Sequence, residues 1–150
     1  MRLRTALLCA MTLGVCVGIV GAAYVLGKVS ARVASYSERP PERYIVPGQL
    51  RAVEFKPNVM AVHYSCRLQG LPALQGGFYY GCAWRGRMIL PDPCQARDRT
   101  AATVCGLIRA GVPAERAITV EVCKGRGFWA ELACHEWGHA VGGWSGRHER

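Results

Sequence analysis

The carboxy-terminal stretch at residues 128–150, FWAELACHEWGHAVGGWSGRHER, holds three of the chain's 4 histidines, His135, His139 and His148. Phe128, Leu132, His135, His139 and Gly142 recur at steps of four, three, four and three. That spacing predicts a helix starting near Phe128 with these residues on one face turned inward. Two histidines thus interrupt an otherwise apolar stripe. Gly142, Gly143 and Gly146 follow it, and His148 lies beyond them.

Upstream, residues 117–123 (AITVEVC) alternate Ile118, Val120 and Val122 with Thr119 and Glu121, as a half-buried strand does. Short β-branched or aromatic runs bounded by Pro and Gly predict further strands over 50–55, 59–66, 77–84 and 87–90, with a turn at Gly86. Ala101, Val104, Cys105 and Ile108 recur at three and four, and Gly111 with Pro113 stops the pattern. A helix from about Cys94 to Ala110 is expected. The order of strands, helix, strand and helix predicts an α+β class, with a short twisted sheet, a backing helix and a C-terminal helix carrying the histidines.

Residues 5–27, TALLCAMTLGVCVGIVGAAYVLG, contain no charge. As a helix they would be roughly 34 Å long, enough for a hydrocarbon core of about 30 Å. Residues 1–28 are therefore expected to be a membrane anchor or signal sequence, and the length of the apolar run favours an uncleaved transmembrane helix. Residues 29–47, with Ser, Arg, Glu and a Pro-Pro pair, read as a linker, and 48–150 as the domain. Cys66, Cys82, Cys94, Cys105, Cys123 and Cys134 form an even set without CxxC spacing, which points to disulfides in an exported domain. Their connectivity is left open. These features predict a single-pass protein of the cell inner membrane, its C-terminal domain periplasmic or extracellular and its N-terminal helix in contact with the membrane.

The net charge is +9, from 19 Lys and Arg against 10 Asp and Glu. The arginines are scattered, with no long basic run and no stacking motif, which argues against a specific nucleic-acid partner. Nothing in the sequence sets the oligomeric state.

Histidines four apart on a helix have Cβ atoms about 5–6 Å apart, so both imidazoles can reach one ion at about 2.0–2.1 Å. Glu136, rotated by about 100° from His135, can reach a water on that ion without being a ligand. Metal-assisted hydrolysis needs this set, because the ion acidifies the water and a carboxylate takes its proton. The run His135, Glu136, Trp137, Gly138, His139 resembles the HExxH helix of the zincin metallopeptidases, and is metzincin-like as far as Gly142. The resemblance implies a zincin-like domain, Zn2+ as cofactor, His135 and His139 as metal ligands, Glu136 as general base and a protein or peptide as substrate.

The metzincin pattern places its third histidine where this chain has Ser145. His148, carried back by the glycines, is the expected third ligand, with Glu149 or Asp92 as substitutes. The expected function is a membrane-tethered, extracytoplasmic zinc-dependent hydrolase, a metallopeptidase. The alternative is a non-catalytic envelope or binding module with a structural zinc or no metal. Trp137 and Trp144 read as cleft walls or core, the strand over 117–122 as a peptide-binding edge, and His63 as an ordinary strand residue.

Overall fold

A computed structural model describes residues 39–73 and 77–146, which form a small mixed α+β domain. Its three-stranded sheet has the order β1 (Ala52–Lys56), β3 (Arg87–Pro91), β2 (Cys82–Trp84), with β1 parallel and β2 antiparallel to β3. Arg85 (φ 45°) and Gly86 (φ 81°) make the two-residue turn between β2 and β3. Two successive positive φ angles match the twist of a hairpin, which is why glycine stands at the turn.

In β3, Met88, Ile89 and Leu90 are all buried, so the central strand is covered on both faces. Met88 and Leu90 join the main core with Val104, Leu132 and Trp137, while Ile89 joins a second cluster with Val62, Cys66 and Cys82. Helix α1 (Val59–Leu68) supplies the second cluster. Helices α2 (Arg99–Arg109), α3 (Ala114–Ala117) and α4 (Phe128–Ala140) supply the first.

Three sequence-based expectations are corrected here. Residues 59–66 form helix α1 instead of a strand: the Asn58 side chain accepts the Ala61 N–H at 2.9 Å, and Val62 and Cys66, one turn apart, share the buried face. Residues 117–123 end α3 and enter a 3-10 turn, Val120–Lys124, where Thr119 accepts the Glu121 N–H at 3.3 Å. Helix α2 begins at Arg99, because Cys94 belongs to a separate 3-10 turn, Pro93–Gln95. Asp98 then caps two helices at once. One carboxylate oxygen accepts the Ala101 N–H at 2.8 Å and the other the Trp129 N–H at 2.9 Å, which ties the starts of α2 and α4 together. Gly127 (φ 111°) passes so close that a Cβ there would lie 2.5 Å from Asp98 Cβ.

The membrane expectations are also corrected. Among the described residues no helix is long and apolar enough to cross a membrane. The single-pass topology, the membrane contact and the placement built on them are therefore unsupported, and residues 5–27, from which they came, lie outside the described residues.

Residues 39–46 lie against α4. The Arg39 guanidinium donates to the Cys123 carbonyl, and Trp137 Nε1–H donates to the Val46 carbonyl at 3.0 Å. Gly138 and Gly142 admit this segment: a Cβ at Gly138 would lie 2.6 Å from Pro40 Cγ, and one at Gly142 2.1 Å from the Tyr44 carbonyl oxygen.

The six cysteines form three disulfides, each with its neighbour in sequence: Cys66–Cys82, Cys94–Cys105 and Cys123–Cys134. The first joins α1 to β2 across 16 residues. Closing a loop of that size removes about 3 kcal/mol of unfolded-state entropy. Cys66→Ala with Cys82→Ala should accordingly lower the urea midpoint by the equivalent of about 3 kcal/mol. A double variant as stable as the parent would show that the bridge does not constrain the unfolded chain.

Candidate functional site

Helix α4 is buried along most of its length, so its polar residues cannot all reach bulk water. His135 and Glu136 are buried, at 7% and 5% exposure, and His139 is half-buried. All three face a cavity of about 270 Å³ between α4 and the edge strand β2. Gly81 and Ala83 form its β2 side, Tyr79 and Leu71 approach from the preceding loop, and Ser145 closes the end beyond α4.

The two imidazoles meet, with His135 Nε2 and His139 Nε2 3.2 Å apart. His139 Nδ1 lies 2.7 Å from the Trp144 carbonyl oxygen. A carbonyl only accepts, so Nδ1 carries the proton, and in the neutral ring Nε2 is left as an acceptor. His135 Nε2–H then donates to it. Trp144 holds the pair from behind, stacked on His139 with centroids 4.8 Å apart and edge-on to His135 at 5.0 Å. The chain returns Trp144 to this place through Gly142 and Gly143, and the Trp144 N–H donates to the Gly138 carbonyl at 2.9 Å. Gly146 (φ 61°) then passes close to the Cε1 edge of the His139 ring: a Cβ there would be 2.4 Å from His139 Cε1.

Burial pushes the Glu136 carboxyl up from 4.5 to about 8, so at neutral pH it is mostly a carboxylic acid, able to donate as well as accept. Its place depends on Gly81, where a Cβ would lie 2.9 Å from Glu136 Oε1. Any larger residue at position 81 would displace the carboxyl.

Of the expected site residues, the structure brings His135, Glu136 and His139 together. His148 and Glu149 lie outside the described residues. Asp92 caps the 3-10 turn, accepting the Cys94 N–H at 2.9 Å. Trp137 is fully buried core, not a cleft wall, whereas Trp144 backs the histidines. His63 accepts the Tyr79 N–H at its Nδ1 (3.1 Å) and stacks on that ring, so it supports the cavity wall from α1. Tyr79 and Gly81 carry no motif; only the sheet edge they flank makes them part of the site.

Among the described residues, no group of three His, Cys, Asp or Glu is placed to hold a metal ion. No family model, curated protein or solved structure matches the chain. The zincin resemblance, the Zn2+ cofactor, the zinc-metallopeptidase activity and the peptide substrate that it implied are corrected accordingly. The physical reason is that helical spacing secures two imidazoles from one element, while a third ligand needs a separate segment to return to them, and among the described residues none does.

Proposed function

We propose that the domain is a binding module that takes a small, neutral, amide-bearing group into the cavity between α4 and β2, with Glu136 as its polar contact and His135 and His139 lining the space beside it. The convergence of three titratable side chains from one helix on a single open-mouthed cavity carries this reading. A cavity of about 270 Å³ suits one functional group or a very small molecule. No Lys or Arg lines it among the described residues, so an anion would be desolvated there without a partner. A neutral amide avoids that cost. Its carbonyl can accept from the Glu136 hydroxyl and its N–H can donate to the other carboxyl oxygen, while Leu71 and Ala83 contact the apolar part. The imidazole pair, held by its own hydrogen bonds, forms the wall beside the carboxyl.

The reading is tested by NMR titration of the oxidised full-length chain with acetamide and N-methylacetamide at pH 6.5 and 9.5. Saturable shifts at Gly81, Ala83 and the α4 histidines are expected at the lower pH, with at least tenfold weaker binding at the higher. Glu136→Gln keeps both a donor and an acceptor, so it should bind at both pH values, whereas Glu136→Ala should not bind. His135→Ala and His139→Ala, which open the imidazole wall, should each weaken binding. Binding that tightens above pH 8 and vanishes in Glu136→Gln would mean that a carboxylate recognises a cation, and would overturn the proposal. So would the absence of any saturable shift.

A further inference from the structure

On another part of the domain, a larger cavity of about 520 Å³ lies between α2, α3 and the 3-10 turn Val120–Lys124. Its floor is apolar, made by the buried Val104 and Val122 and the partly exposed Leu107. Its rim is cationic, carrying Arg99, Arg116 and Lys124 against a single carboxylate, Glu121. Lys124 and Glu121 are paired with each other at 2.8 Å. Among the described residues neither Arg99 nor Arg116 is ion-paired, so two guanidinium groups are left to face an incoming anion.

Hydroxyls complete the rim. Thr119 Oγ1 accepts the Glu121 N–H at 3.3 Å, which leaves its own proton free to donate. Thr100 also lines the cavity, and Gly125 makes room for it: a Cβ at Gly125 would lie 2.1 Å from Thr100 Oγ1. The two halves select different parts of one molecule. Guanidinium forks and hydroxyl donors fit the oxygens of a phosphate or carboxylate, while the floor fits an alkyl or aryl body. The volume lies within the range of small-molecule sites.

We propose that this groove is a second binding site, specific for a small organic anion that combines a phosphate- or carboxylate-type head with an apolar body. The anion head sits between Arg99 and Arg116, near Thr119, and the body lies over Leu107 and Val104. The site shares no residue with the cavity of His135 and Glu136, so the two proposals stand or fall separately.

Hexyl phosphate is the probe, titrated into the oxidised full-length chain and followed by NMR, with inorganic phosphate and 1-hexanol as separate arms. Hexyl phosphate should give saturable shifts at Thr100, Thr119 and Gly125, weakening as salt is raised, and each half-molecule alone should bind at least tenfold more weakly. Arg99→Gln with Arg116→Gln should weaken hexyl phosphate at least tenfold without altering inorganic phosphate or hexanol controls elsewhere on the protein. Leu107→Ser, which keeps both cations, should weaken it severalfold, and Glu136→Gln should leave it unchanged. Equal binding of inorganic phosphate would reduce the site to a bare anion contact, and equal binding of hexanol would leave the arginines without a role. Either result overturns the proposal, as would shifts that persist in the double arginine variant.

Discussion

Stability should fall steadily as pH rises from about 5 to about 8, because folding holds a proton on Glu136 that the unfolded chain releases. The carboxyl titrates at an ordinary 4.5 when exposed and is raised to about 8 by burial in α4. Between those values the folded state binds more protons than the unfolded state, so unfolding releases a proton and stability decreases with pH. Below the window both states are protonated and the slope vanishes; above it the full penalty of a buried carboxylate is reached. The slope is about 1.4 kcal/mol per pH unit within the window, on the order of 4 kcal/mol in all. Urea denaturation at pH 5, 6.5, 8 and 9 measures it. Glu136→Gln removes this titration, and the difference between the two pH profiles isolates the carboxyl from every other group. Parallel profiles for parent and variant would show that Glu136 ionises normally in the fold.

Trp137→Ala should be the most damaging single substitution in α4. Its ring is fully buried in the main core, and its Nε1–H satisfies the Val46 carbonyl at 3.0 Å. Truncating a buried tryptophan costs about 3–5 kcal/mol through lost burial and the cavity left behind, and a stranded carbonyl adds about 1–3 kcal/mol where water cannot reach it. Small domains have roughly 5–15 kcal/mol in total, so the variant should be near or past its unfolding midpoint at 25 °C, as read by far-UV circular dichroism in a urea series. Trp137→Phe keeps most of the ring and loses only the donor. It should cost about 1–3 kcal/mol; an equal loss in both variants would place the whole effect on the hydrogen bond.

Several features are legible from local pattern. Helix α4 starts at Phe128 as its periodicity predicts, the turn between β2 and β3 falls at Gly86, and the even cysteine set is fully paired. Each depends on neighbouring residues alone or on counting. Residues 59–66 are different, because Val59, Val62 and Cys66 satisfy both a strand-like composition and a helical face. The Asn58 cap and the fit of Val62 and Cys66 against Ile89 decide for the helix. Residues 117–123 fail in the same way: their alternation is real, but Ile118, Val122 and Cys123 are buried against the main core from a turn, and a disulfide to Cys134 holds them there.

The functional reading divides along the same line. The sequence by itself determines that His135 and His139 lie one turn apart with Glu136 between them, because the helix repeat is a local property of the backbone. It also determines the glycines that follow them. Only the tertiary structure decides what meets that face: Trp144 stacked on His139, Gly81 bringing β2 up to the Glu136 carboxyl, and no third ligand among the described residues. Those contacts depend on how segments distant in sequence return to one another. The same local motif is therefore compatible with a metal centre or with the acid–imidazole cavity found here, and long-range packing, which no spacing rule encodes, determines which of them forms.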